Sequence, residues 1–165
     1  MRKTLKRRRH EQKTDYIKRI GLLKSGRPRI VFRKTNRYII SQYIESNEAQ
    51  DKIGVSLTSK LLLDYGWPKE FSGSLKSLTA AYLTGLLMGK RISKKKSEPI
   101  LDIGMIKNNH KGKVFAFLKG LKDSGVKIKS EEENFPSEDR IKGKHLKKDF
   151  SNLFNEIKSR IEKEK

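Results

Sequence analysis

The chain has no cysteine among its 165 residues. That excludes a disulfide framework and any zinc site built on thiolates, and it fits a reducing compartment. Acid is scarce: 19 Asp and Glu stand against 40 Lys and Arg, a net charge of +21 at pH 7. Such an excess repels itself in a compact molecule until a polyanion cancels it. Apolar residues make up 34% of the chain, so a small core carries a large polar surface. Long hydrophobic runs are missing as well, and no segment approaches the length of a membrane span. The opening MRKTLKRRRHEQKTD has no apolar run after its basic start, so no secretory signal is expected. Binding to a lipid surface needs bulky apolar residues among the cations, and residues 1–13 offer only Met1 and Leu5. The expectation is a soluble, cytoplasmic protein of one ordinary domain with appendages.

Catalytic signatures are equally thin. The three histidines, His10, His110 and His145, have no Glu or second His at metal-ligand spacing. The glycines form neither a Walker loop nor a GxGxxG after a strand. No metal, cofactor or small-molecule substrate is expected.

What is present is cation clustering on an α/β pattern. Residues 1–13 hold Arg2, Lys3, Lys6, Arg7, Arg8, Arg9 and Lys13 against Glu11 alone, an arm expected to be disordered in isolation. From Thr14, expected as the N-cap, Tyr16, Ile20 and Leu23 recur at helical spacing up to Ser25-Gly26. This short helix is expected to dock its apolar face on the body. Three alternating runs follow, Arg29 to Arg33, Tyr38 to Glu45 and Lys52 to Leu57, and their short connections predict an antiparallel meander. Leu75 to Met88 is apolar around most of its circumference and predicts the central buried helix. Pro99 to Ile103 predicts a fourth strand parallel to a neighbour, Lys113 to Lys122 a second helix, and Val126 to Ile128 an edge strand. An acidic linker, SEEENFPSEDR, precedes a C-terminal helix striped by Leu146, Phe150, Leu153, Phe154, Ile157 and Ile161, with a supporting Glu156 and Arg160 pair.

The expected organisation is a basic arm and short helix over 1–26, an α/β RNA-binding core over 27–130, and linker plus C-terminal helix over 131–165. Three antiparallel strands followed by α-β-α-β form a ribonuclease-H-like mixed sheet with flanking helices. Enzymes of that architecture hold two metal ions on strand carboxylates. Here RIVFR has no acid, and Asp102 has only Asp51 or Glu45 as conceivable partners. A metal-dependent nuclease is therefore the weaker alternative, beside a general RNA-binding protein.

Binding chemistry is richer. Lys and Arg neutralise phosphates and release counterions, and the arm, the RKTNR turn, and Arg91 with Lys94 to Lys96 all qualify. Thr35 and Asn36 can hydrogen-bond sugar, phosphate or a base edge, and Tyr38 can stack on an unpaired base. No helix-turn-helix, zinc finger or basic zipper is visible, which favours folded RNA over DNA.

The blocks RRRHEQKTDYIKRIGLLKSGRPRIVFRKTNRYIISQ, AAYLTGLLMGK, LDIG, VFAFLKGLKDSGV and FPSEDRIKG, in that order, strongly resemble the 5S-rRNA-binding large-subunit ribosomal protein family eighteen in its archaeal and eukaryotic branch. The resemblance implies a non-catalytic ribosomal constituent that holds 5S rRNA and attaches it to the large-subunit rRNA at the central protuberance, beside neighbouring ribosomal proteins. It maps RNA contacts onto the arm and onto Arg29, Arg33, Lys34, Thr35, Asn36 and Arg37; Tyr16, Arg19 and Arg27, between them in the chain, are expected RNA-binding residues as well.

Overall fold

Alternating residues of the meander, and the apolar helix after it, find each other across a four-stranded sheet of order β3-β2-β1-β4. The computed structural model describes residues 6–47, 50–93, 95, 98–146 and 149–164. The strands are β1 (Arg29–Lys34), β2 (Ile39–Asn47), β3 (Gln50–Thr58) and β4 (Ile100–Asp102). β1 pairs antiparallel with β2 and parallel with β4, setting Ile30 beside Tyr43 on one side and Leu101 on the other. The expected parallel fourth strand is thus present. The helices are α1 (Arg7–His10), α2 (Tyr16–Lys24), α3 (Leu78–Ile92), α4 (Lys113–Asp123), α5 (Glu138–Lys142) and α6 (Ser151–Glu162). Among the described residues no helix is long and apolar enough to cross a membrane.

The pleat sends Ile30 and Phe32 to one face, where both are buried. Against them lie α3 and α4, with the Phe32 and Phe117 ring centroids 5.0 Å apart. α3 begins three residues later than its hydrophobic run suggests. The Ser77 hydroxyl accepts the Ala80 N–H at 3.2 Å and caps the helix, and Leu75 enters the core from the turn before it. α6 closes the opposite side of α3. Phe154, Ile157 and Ile161 are buried, and the Phe154 ring lies 5.6 Å from that of Tyr82.

Four expectations fail here, each for a local reason. Val126 to Ile128 forms no strand, because the Val126 N–H returns to the Leu121 carbonyl at 3.2 Å and the chain folds against the end of α4. Asp15, not Thr14, caps α2, accepting from the N–H groups of Ile17 and Lys18. α2 fully buries no residue: Tyr16, Leu22 and Leu23 are half-buried while Ile17 is 83% exposed and Ile20 52%, so the helix docks its apolar face only in part. Arg160 donates to the Tyr65 carbonyl at 3.1 Å, and among the described residues no ion pair joins it to Glu156.

Candidate nucleic-acid interface

The face of β1 turned away from the core carries Arg29, Val31 and Arg33, and two of the expected RNA-facing residues are engaged there. Arg29 is only 3% exposed. Its Nη2 donates to Asp51 Oδ1 at 2.6 Å and Ser46 Oγ at 3.0 Å, and its Nη1 lies 3.5 Å from Asp102 Oδ2. Arg33 donates to the Asp102 carbonyl at 2.8 Å and to both Asp102 carboxylate oxygens at 3.2 Å. Arg19 reaches Asp51 Oδ2 at 3.5 Å. Five charges therefore form one chain across the sheet. Arg29, expected among the RNA contacts, is buried and paired within this chain, and Arg33, half-buried, ties β1 to β4.

The same chain disposes of the nuclease geometry. Asp102 pairs with Arg29 and Arg33, and Asp51 with Arg29 and Arg19, so each of these strand carboxylates faces a guanidinium where metal ions would be needed. Among the described residues no cluster of acids and histidines is fit to hold a metal ion.

Asp51 sits below the ordinary carboxylate value of 3.8: partial burial raises its pKa, but the Ser46 hydroxyl and the Arg29 guanidinium outweigh that. A carboxyl depressed in the folded state stabilises above its unfolded pKa, and that contribution disappears as pH falls through the folded one. Stability should therefore decline below about pH 4, and urea titrations of Asp51→Asn should show a shallower decline over that range than the parent chain.

The turn between β1 and β2 is built differently. The Thr35 N–H donates to the Tyr38 carbonyl at 2.8 Å, while its hydroxyl donates to that carbonyl at 2.8 Å and accepts the Tyr38 N–H at 2.9 Å. Lys76 Nζ donates to the Asn36 carbonyl at 2.7 Å. Thr35 thus ties the turn together from within, and Tyr38 packs on the core. The Lys34 and Arg37 side chains and the Asn36 amide remain outside. Among the described residues neither Lys34, Arg37, Lys76 nor Lys113 makes an ion pair. Burial pushes the Lys113 ammonium below its ordinary value, and the charges of Lys34 and Lys76 push the same way. Lys76 and Lys113 were missed because they stand far from the turn in sequence, Lys76 already 40 positions from the Asn36 it touches.

A second basic area is the arm. Arg8 donates to Thr14 Oγ1 at 2.9 Å, Arg9 lies 3.5 Å from Asp15, Arg7 3.8 Å from Glu11, and Lys13 2.8 Å from the same Glu11. Lys6 stands over the Tyr16 ring at 4.7 Å. These exposed pairs are each worth at most about 1 kcal/mol, so phosphates can displace them. A small cleft of ≈ 130 Å³ runs between arm and sheet, lined among others by Arg8, Lys18, Arg19 and Arg33. Arg27 is exposed farther along, near β4. Arg91, expected to be available, is held by Glu164 at 3.1 Å. Arg2, Lys3, Lys94 and Lys96 lie outside the described residues.

Comparison with known proteins gives this arrangement its context. The family model described as "Ribosomal large subunit proteins 60S L5, and 50S L18" matches residues 2–99. The large ribosomal subunit protein uL18 of Korarchaeum cryptofilum is 47% identical over 141 residues, covering 85% of this chain and 70% of the relative. That of Methanoculleus marisnigri is 45% identical, covering 85% and 78%, and that of Methanoregula boonei 43%, covering 85% and 79%. A family match over more than half of the chain, with an acid-free, cation-bearing turn on a sheet whose Asp51 and Asp102 are engaged by arginine, leads to one conclusion: the chain belongs to the family of ribosomal large-subunit proteins that includes 60S L5 and 50S L18, as an archaeal-type, non-enzymatic structural constituent of the ribosome in the cytoplasm.

Proposed function

We propose that this chain grips 5S rRNA through its basic arm and its β1-β2 turn, and that it thereby attaches 5S rRNA to the large-subunit rRNA at the central protuberance, among neighbouring ribosomal proteins. The observation that carries the reading is the turn: a backbone tied together by Thr35 presents Lys34 and Arg37 beside Lys76 and Lys113 with no acid among them. Phosphate is the group that relieves such crowding, because it offsets both the burial and the neighbouring Lys34 and Lys76 charges that lower Lys113, and it releases counterions as it binds. The arm and the turn divide the work. The arm's cations are held by weak, exchangeable pairs and can wrap a backbone, while the turn sets register. Arg29 and Arg33 enter this scheme as the residues that hold the strand under the turn.

Titrating 5S rRNA against the intact chain at increasing salt tests the reading. Neutralising six to eight phosphates corresponds to a logarithmic salt slope of about −4 to −7. Lys34→Ala with Arg37→Ala should weaken binding and make the slope shallower by about two. Unchanged affinity and slope in that variant would reject the turn as a contact.

A further inference from the structure

The sheet stops at β4, and what lies beyond it is not a finished edge. The Ile100 N–H donates to the Pro28 carbonyl at 2.9 Å, so by the alternation of a strand Leu101 turns its N–H and C=O away from β1. Among the described residues no backbone group meets Leu101 on that side. An unpaired edge is a template for another chain.

Beside this edge runs a cleft of ≈ 790 Å³, a size typical of built binding sites. Its floor is aliphatic: Leu101, Leu118, Val126 and Ile128. Its rim is cationic: Arg27, Lys127 and Lys129 stand against Glu98 alone. The far wall, Val126 to Lys129, alternates buried or half-buried apolar residues with exposed lysines, a strand's pattern with no strand to pair with. RNA does not match these features, since a sugar-phosphate backbone would lie against hydrocarbon and leave the peptide edge unpaired. An extended polypeptide matches all three. Its backbone pairs with Leu101, its apolar side chains meet the floor, and its carboxylates meet the lysine rim.

We propose that β4 accepts an extended segment of a neighbouring ribosomal protein, with alternating aliphatic and acidic residues, as a fifth strand of this sheet. The inference rests on the chain's place in the large subunit and is independent of the 5S contact, because β4 flanks Arg29 to Val31, at the opposite end of β1 from the basic turn.

The test uses the full chain, carrying the photo-cross-linker benzoyl-phenylalanine in place of Ile128, assembled into large subunits and irradiated. The expected result is an adduct with a protein segment whose sequence alternates apolar and acidic residues. Its yield should fall about tenfold in a Lys127→Glu, Lys129→Glu background, since like charges facing each other across an interface oppose docking. Leu101→Pro, which removes the outward donor, should lower the yield, and Leu101→Val should not. If circular dichroism shows that the proline variant is unfolded, the charge reversal decides alone. An adduct with RNA only, with a basic or helical segment, or none at all overturns the proposal, as does a yield indifferent to the charge reversal. Parallel titration of 5S rRNA against the Lys127→Glu, Lys129→Glu chain keeps the two readings separate, because that affinity can fail or persist whatever the cross-link shows.

Discussion

Arg29→Ala should destabilise the fold by about 3–5 kcal/mol, the cost of removing one partner from a buried ion pair. The reason is what stays behind. Asp51 and Asp102 lie on the two outer sides of the β2-β1 pair, and Arg29, 3% exposed, is the cation that touches both. Without it, Arg19 still lies near Asp51 and Arg33 near Asp102, but the Ser46 and Asp51 cluster loses its shortest donor. Urea denaturation measures the loss, and the midpoint of thermal unfolding should fall by about 10 °C for a chain of this size. A second signature separates lost pairing from lost packing. Arg29→Met keeps most of the side-chain volume, so it should remain close to Arg29→Ala if charge is what matters, and the decline in stability below about pH 4 should shrink in both. A loss under about 1 kcal/mol in Arg29→Ala would sink this account of the sheet's outer face. The Arg29 Nε has no hydrogen-bond partner, a cost already present in the parent that makes the upper end of the range less accessible.

The second large effect is expected from one methyl group. Gly120→Ala raises intrinsic helix propensity by about 1 kcal/mol, and on that ground alone it should stabilise α4. In the fold a β-carbon at Gly120 would lie 2.2 Å from the Tyr82 carbonyl oxygen and 2.8 Å from the Leu86 nitrogen, both backbone atoms of α3. Gly85 answers from the other helix, where a β-carbon would lie 2.2 Å from the Phe117 carbonyl oxygen. Backbone cannot swing aside as a side chain can, so the helices must separate and the core between them loosens. Overpacking of this kind costs about 1–3 kcal/mol or more. Net destabilisation of about 2 kcal/mol or more is expected, and the sign itself is diagnostic, since a gain in stability would mean that α3 and α4 do not touch backbone to backbone. The double variant Gly85→Ala, Gly120→Ala should cost less than the sum of its parts, because one separation relieves both clashes.

Much of the architecture was legible from periodicity. The first two meander runs, the apolar stretch around Leu83 and the C-terminal stripe at Phe154, Ile157 and Ile161 bury the face their spacing marks, whereas β3 buries only Leu57 and leaves Ile53 53% exposed, as an edge strand covered on one side can. Val126 to Ile128 misled. Its alternation is real, but a strand needs a partner within reach, and the Val126 N–H goes back to α4 instead. Ile20 carries the converse lesson: spacing marks an apolar face without saying whether the rest of the chain will cover all of it.

Charge, strand period, the absence of thiols and the family likeness belong to this sequence by itself, since each is a property of residues or of their near neighbours. Which cations face outward was decided only by the tertiary structure. Arg29 meets Asp51 across 22 positions and Arg33 meets Asp102 across 69, while Lys34 and Arg37, from the same RKTNR stretch, stay at the surface beside Lys76 and Lys113. An arginine's partner is whatever carboxylate the folded sheet brings within about 4 Å, and that distance exists only once the strands have paired.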